Sequence, residues 1–344
     1  MKKDIKSMQL RELKDYFESA GERAFRAGQV FSWLHSGVRT FGEMTNIPAK
    51  QRELLNREFS ITVPVLAEKQ VSGLDGTIKY LWRIDGGDTI ESVLMEYEHG
   101  NTVCISSQVG CRMGCAFCAS TIAGFARNLS ASEMLDQVLF TQLDSGKRIS
   151  NVVLMGIGEP LDNFDNMICF INLITHPSGM NIGARHITVS TCGIVENIDR
   201  LAGYDVQCSL AISLHAPDDE TRTSLVPANR GIGVSGLIEA GNRYFKATGR
   251  RVSYEYAMIA GVNDSKQQAS LLGKMIKKAG SHLNLILLSD VPERPFLASS
   301  AGSVKTFTGV LRQEGVNFTI RRSLGSDIEA SCGQLRRRLQ LNGV

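Results

Sequence analysis

From residue 130 to residue 322 the chain alternates helical and strand patterns with almost no interruption, and this alternation limits the fold more than any other feature. The apolar spacing predicts helices over 130–145, 163–175, 194–202, 234–248, 264–279 and 302–314. Between them, strands are predicted over 151–156, 185–190, 206–214, 251–259, 283–288 and 317–322. Parallel strands need a long crossover, usually a helix, so the pattern reads as an α/β protein with a parallel sheet. About six such units fit, too few for a complete eight-fold barrel. A partial, open β/α barrel is expected, with its chemistry at the C-terminal ends of the strands.

The first 72 residues read differently. Helical periodicity runs through Met8–Phe17, with Ser7 as a cap, and through Arg26–Leu34, and Pro48 suits the first turn of a third helix. Arg11, Lys14, Arg23, Arg26, Arg39, Lys50 and Arg52 give this helical domain either an RNA-facing surface or a solvated face. Residues 73–103 form a connector, in which Thr77–Ile84 and Thr89–Tyr97 flank Gly86-Gly87 as a β-hairpin. The barrel then occupies 104–344. A net charge of +3 over 344 residues neither demands nor excludes a nucleic acid. No apolar leader follows Met1, and no apolar run is long enough to span a bilayer, so a cytoplasmic protein with no membrane partner is expected. Eight cysteines in a reducing compartment point to metal or catalytic use rather than to disulfides.

Half of those cysteines lie in Cys104–Cys118, where Cys111, Cys115 and Cys118 read C-x3-C-x2-C. Such a loop can turn three soft thiolates toward one centre. Three ligands on a four-iron cluster leave one iron open to chelate a substrate or cofactor. Cys104 as a fourth ligand would give a structural zinc knot, although zinc ribbons usually separate two C-x2-C knuckles. The spacing, with Phe117 before the last cysteine, resembles the radical-SAM signature.

Polar residues collect where the predicted strands stop. The first parallel strand runs into Gly156-Ile157-Gly158-Glu159-Pro160, whose glycines can expose backbone to a close ligand. The next strands end in Ser190-Thr191 and in Ser213-Leu214-His215, so three strand ends describe one rim. Cys332 stands in a small-residue segment after the last strand, whereas Cys169, Cys192 and Cys208 read as small core residues. Glu91, taken alone, reads as a solvent-facing strand carboxylate.

Together these stretches resemble the RlmN/Cfr family of radical-SAM RNA methyltransferases, and within it the RlmN type. The likeness spans nearly the whole chain. It rests on C-I-S-S-Q-V-G-C at 104–111, G-I-G-E-P-L-D-N at 156–163, V-S-T-C-G at 189–193, S-L-H-A-P at 213–217, A-G-V-N-D at 260–264 and G-S-D-I-E-A-S-C-G-Q-L at 325–335.

The resemblance implies that Cys111, Cys115 and Cys118 hold one [4Fe–4S] cluster. It places Gly158, Glu159, Ser190, Ser213, Leu214 and His215 around S-adenosylmethionine, two molecules of which are used per turnover. Ser289 stands where relatives have an Asn that contacts this cofactor. Cys332 would carry a methyl group that a 5′-deoxyadenosyl radical activates, Glu91 would accept a proton, and Cys104 would resolve the product and leave a disulfide. The implied reaction is methylation of adenosine C2 in 23S rRNA and tRNA. Its implied partners are those RNAs, an electron donor such as flavodoxin or ferredoxin, and a thiol reductant, and the protein is expected to be a monomer. Arg250, Arg251, Arg321, Arg322 and Arg336–Arg338 are candidate phosphate contacts. The C8-methylating branch of the family and a radical-SAM enzyme acting on a peptide or metabolite are the alternatives. Pro160, where the C8 branch has Ala, and Arg321-Arg322-Ser323-Leu324 favour the C2 branch.

Overall fold

The computed structural model describes residues 2–205, 207–289, 291–328 and 330. Three helices open the chain: α1 (Leu10–Ser19), α2 (Phe25–His35) and α3 (Ala49–Glu58). The cap of α1 is Gln9 in a reciprocal box with Glu12. Ser7 is not the cap. It lies in the preceding turn and exchanges hydrogen bonds with Ser132, so the helix starts later than the apolar spacing suggests. Nearby, Lys6 is buried against Asp136 at 2.6 Å and fastens the N-terminal segment to the barrel.

The main sheet has ten strands whose spatial order is their chain order. They are β1 (Val65–Val71), β2 (Ile78–Arg83), β3 (Thr89–Tyr97), β4 (Gly100–Cys104), β5 (Ile149–Leu154), β6 (Ile187–Thr191), β7 (Ser209–Ser213), β8 (Ser253–Met258), β9 (His282–Leu287) and β10 (Phe318–Ile320). From β4 to β10 all neighbours are parallel, while β1 to β4 are antiparallel. The hairpin of the expected connector therefore continues the barrel wall. Strand β1, inside the stretch read as helical, extends that wall by one more strand.

Each crossover after β5 carries a helix: α5 (Phe164–Thr175), α6 (Val195–Ala202), α7 (Asp219–Leu225) and α8 (Gly233–Thr248), α9 (Lys266–Ala279), and α10 (Ala301–Glu314). Helix α4 (Ala131–Ser145) returns the chain from the cysteine loop to β5. Its start is fixed by Ser130 and Glu133 in a capping box and its end by Gly146 in the left-handed conformation. Among the described residues, no helix is long and apolar enough to cross a membrane.

Strand alternation gives the wall two unlike faces. Tyr80, Trp82, Ile90, Leu94, Val103, Val152, Leu210, Ile212, Tyr254 and Leu283 are buried on the outer face, in the apolar core under the helices. Ser92 marks that side, accepting a bond from Trp82 Nε1 at 2.8 Å and lying 3.3 Å from Thr141 of α4. The inner face carries the alternate residues, which register places side by side: Lys79 with Val93, Leu81 with Glu91, Val93 with Cys104, Ser213 with Glu255, and Glu255 with Asn284. Polar and ionisable groups thus share one concave surface.

The last described segment folds back onto the β1–β2 turn. Asp327 accepts bonds from Ser72 Oγ at 2.5 Å and Gly73 N at 2.8 Å, and Asp75 accepts one from Gly325 N at 2.8 Å. Partial burial opposes ionisation of Asp75, but the Gly325 amide and the Thr77 and Ser72 groups outweigh it and hold the carboxyl at about 2. Asp327 is lowered as well, chiefly by Ser72. A depressed folded-state value stabilises docking above the unfolded carboxyl value near 3.9 and is lost as pH falls toward 2. Hydrogen exchange of the 323–328 peptide should therefore accelerate between about pH 4 and pH 2, beyond the intrinsic pH effect on exchange. Asp75→Ala should accelerate it about tenfold at pH 7, the scale of one charge-assisted bond.

Candidate active site

A cavity of about 280 Å³ opens at the C-terminal end of the parallel strands. The cysteine loop forms one side, supplying Cys111, Met113, Cys115, Phe117 and Cys118. Strand ends form the other, with Met155, Gly158, Glu159, Ser190, Thr191, Cys192, Ser213 and His215. The three cysteines read as a ligand set thus face one space, with most of the residues read as cofactor contacts across it.

The loop is braced on several sides. Gly110, at φ +78°, lies so close to the Gly124 carbonyl that an added Cβ would stand 1.8 Å from it, so only glycine fits there. Arg112 pairs with Asp162 at 2.8 Å and stacks on the Phe125 ring at 4.0 Å. Ala116 N donates to Leu225 O. From the loop after β9, Arg294 donates to Cys118 O at 3.2 Å and Thr121 Oγ1 at 2.8 Å.

Burial pushes the Cys111 thiol up to about 12, with Cys118, Glu159 and Asp162 adding to it. Cys115 is raised by burial and then by Cys118 and Cys111, as expected where thiols face one another. Among the described residues no three His, Cys, Asp or Glu side chains converge on a single-ion site. A zinc ion needs all its ligands within about 2.3 Å of one point, whereas an iron–sulfur cluster takes each thiolate on a different iron. The donor set therefore fits a cluster better than the zinc knot.

Glu159 is buried, and burial raises its carboxyl against the amides that lower it. Its oxygens accept from Leu161 N at 2.9 Å and Cys192 N at 2.8 Å, which ties the Gly156–Pro160 turn to the end of β6. The glycines of that turn serve packing first. A Cβ on Gly156 would stand 2.6 Å from Ile105 O, and one on Gly158 would stand 2.6 Å from Gln108 Cβ.

His215 sits at φ +60°, an uncommon conformation for a residue with a side chain. Its Nδ1 accepts from Ala257 N at 3.0 Å, which leaves the proton on Nε2. Burial, reinforced by Arg222, lowers its value to about 3, so the ring is neutral at physiological pH. Arg222, wholly buried, donates to the Leu214, Ser213 and Cys192 carbonyls and to Asn229 Oδ1, and clamps the ends of β6 and β7 together.

Not every expected contact reaches the cavity. The Leu214 side chain lies in the apolar core, so only its backbone is available at the rim. Ser289 is exposed and is not among the residues lining the cavity. Cys332 and Arg336–Arg338 lie outside the described residues. Arg321, read as a candidate phosphate contact, turns inward to Glu255 at 3.1 Å. Arg250 is half-buried and Arg251 and Arg322 are exposed, as are Arg11, Lys14, Arg23, Arg39 and Lys50 of the helical domain.

The cavity also holds residues that sequence reasoning passed over. Cys192 is buried in a small apolar cluster with Leu225, Val226 and Ile259, as read, but it also borders the cavity, for which the motif V-S-T-C-G was its only signal. Glu255 is buried and raised by burial against Arg321 and Asn284. Its Oε1 accepts from Asn284 at 2.9 Å, while Oε2 has no partner among the described residues. That oxygen is left for whatever fills the space, as an acceptor when ionised and a donor when protonated.

Away from the cysteines, Glu91 and Cys104 occupy the same inner face. Glu91 is 3% exposed and pairs with Lys79 at 3.0 Å, so it does not face solvent as a lone strand carboxylate would. The burial follows from β2 and β4 flanking β3 on both sides. Cys104 ends β4, one strand over, and the chain leads from it directly into the ligand loop.

An open β/α barrel with three cysteines on the loop before its first helical crossover defines a radical SAM enzyme. A model of the Radical SAM superfamily matches residues 105–271, and one of the ribosomal RNA large subunit methyltransferase N-terminal domain matches residues 3–61. The chain is 48% identical over 335 residues to a probable dual-specificity RNA methyltransferase RlmN of Lachnoclostridium phytofermentans, covering 97% of this chain and 94% of that protein. It is 46% identical to the protein of the same description from Alkaliphilus metalliredigens, covering 98% and 96%. A radical SAM methyltransferase of Sphaerobacter thermophilus superposes with a TM-score of 0.91 at 41% identity, over 96% of this chain and 98% of that one. The chain belongs to the RlmN family of radical SAM RNA methyltransferases. Membership implies an iron–sulfur cluster and S-adenosylmethionine, and the cysteine-lined cavity fits both.

Proposed function

We propose that this chain methylates C2 of adenosine in 23S rRNA and in tRNA, through a methyl group carried on Cys332. One observation carries the reading. A buried carboxylate, Glu91, and a thiol, Cys104, share the inner face of the barrel wall that leads into the three-cysteine loop.

Adenine C2 lies between two ring nitrogens and is electron-poor, so it does not displace a methyl group from a sulfonium as an amine does. One [4Fe–4S] cluster on Cys111, Cys115 and Cys118, with two S-adenosylmethionine molecules per turnover, supplies the methyl group and the radical that activates it. Gly158, Glu159, Ser190, Ser213, His215 and the Leu214 backbone position the cofactor. Neutral His215 offers an Nε2 proton there, and the unpartnered oxygen of Glu255 offers a second polar contact. A hydrogen atom of the methyl group on Cys332 would be lost to the 5′-deoxyadenosyl radical, and the opened carbon would bond C2. Glu91 would take the C2 proton, the surplus electron would return to the cluster, and Cys104 would attack the Cys332 sulfur, breaking its S–C bond as the freed carbon takes a proton. Methyladenosine leaves, and the two cysteines are left as a disulfide that a thiol reductant opens by exchange. An electron donor such as flavodoxin or ferredoxin completes the cycle, and the protein works as a cytoplasmic monomer.

The target base has to leave its stack to enter a cavity of this kind. Exposed Arg11, Lys14, Arg23, Arg39 and Lys50 of the helical domain are placed to hold RNA phosphates, which position a nucleic acid without reading its bases.

Nucleosides from rRNA and tRNA of cells with and without the gene test the proposal. The expected result is 2-methyladenosine that disappears with the gene. Gene-dependent 8-methyladenosine as the main product would move the chain to the C8 branch, and unchanged RNA would leave the peptide or metabolite reading.

A further inference from the structure

Lys79 is fully buried near the start of β2, with its ammonium 3.0 Å from Glu91 Oε2. Taking both charges out of water costs several kcal/mol per ion, and an apolar pair of similar volume is often as stable or more so. A buried ion pair on the inner face is therefore poorly explained by stability alone. Burial by itself favours a protonated carboxyl, as it does at Glu159 and Glu255 in the same barrel. A protonated carboxyl accepts no proton.

The carbon skeleton around Glu91 is fixed as well. Ser106 Oγ donates to the Glu91 carbonyl at 2.7 Å and accepts from Ile157 N at 3.2 Å, which locks β3 to the segment that leads into the cysteine loop. Register puts Lys79 beside Val93, and Val93 beside Cys104. The ammonium thus reaches Glu91 diagonally, from the side away from β4.

We propose that Lys79 is a positioning residue that holds the Glu91 carboxylate ionised and aimed for removal of the C2 proton. The inference deepens the proposed function and rests on Glu91 being the proton acceptor. In the step concerned, the C–H bond at C2 breaks and its proton ends on a Glu91 oxygen. The bonding electrons stay with the adduct, and Lys79 exchanges none. The ammonium then faces a neutral carboxylic acid instead of an anion. That weakened pair favours passing the proton on, which returns Glu91 to its starting form.

The test uses the full chain with its cluster and a substrate RNA. Lys79→Met should bind RNA and form 5′-deoxyadenosine at near the wild-type rate, yet release product at least tenfold more slowly. Protein–RNA adduct should then accumulate on denaturing gels, as it should in Glu91→Gln. Lys79→Arg, which keeps the charge, should restore release to within about threefold. A spectroscopic readout needs neither cluster nor RNA. With isotope-labelled glutamate, the infrared band lost in Glu91→Gln should be that of an ionised carboxylate in the otherwise wild-type protein, and that of a carboxylic acid in Lys79→Met. Normal release in Lys79→Met, or a protonated Glu91 in the wild type, would overturn the inference. If Lys79→Met does not fold, the wild-type infrared band and the Lys79→Arg release rate still decide it. Failure of Glu91→Gln to trap adduct would instead refute the proton-acceptor role on which the inference depends.

Discussion

Cys115→Ala should abolish methylation and remove the brown colour expected of the anaerobically purified protein. Cys115 is one of three thiols on a loop that the rest of the barrel braces, with Ala116 held to Leu225 and Cys118 to Arg294. A cluster held by three protein ligands has no spare one. Losing Cys115 leaves an iron without its thiolate, whereas Cys169, half-buried away from the cavity, can be replaced without loss of iron. Iron and sulfide analysis with visible spectroscopy checks this. The wild type should hold close to four irons and four sulfides, the count of one [4Fe–4S] cluster. Stoichiometric zinc in a colourless wild-type protein would refute the cluster assignment.

The second large effect is expected at Cys104. Removing its thiol should leave the earlier steps intact and stop release, because in the proposed reaction the covalent link between Cys332 and the adenine carbon would be broken by attack of this thiol on sulfur. Cys104→Ala should copurify with RNA joined to protein through a bond that survives denaturation, and multiple turnover should fall to background. Nuclease digestion followed by peptide mapping locates the attachment, which should be on Cys332. Normal turnover in Cys104→Ala would remove the resolving role. The structure makes the substitution mild for folding, since Cys104 ends a strand and its backbone pairing with Val93 and Val153 does not depend on sulfur.

Most of the barrel was legible before any coordinates. The period of apolar residues changes between strand and helix from 130 onward, and each expected element lies within a few residues of an observed one, although the short α7 (Asp219–Leu225) was not expected. The structure shows local caps at the same boundaries, as at Ser130 with Glu133 and at Gly146. The loop Cys111–Cys118 was equally legible, because its ligand spacing is local in sequence and survives whatever the rest of the chain does.

Other features were set by contacts between distant segments. Among the described residues strand β1 pairs only with β2, and its exposed alternation carries little apolar signal, so it passed for part of the helical domain. Glu91 looked like a surface residue because a period of two says which face a side chain takes, not whether that face is covered. The hairpin register sets it diagonal to Lys79, and only the tertiary fold took both out of water. The Gly156 and Gly158 backbone presses on residues 105–108, some fifty positions earlier, and that approach is invisible along the chain. Arg321 looked like a phosphate contact until the curvature of the sheet brought it to Glu255.

The sequence by itself therefore determined the local chemistry: three thiols at cluster spacing, the alternation that makes an open barrel, and the motifs at its strand ends. Tertiary structure alone decided which ionisable groups lost their water. Burial depends on neighbours from strands far apart in the chain, and that desolvation keeps His215 neutral and leaves Glu91 and Lys79 paired out of water.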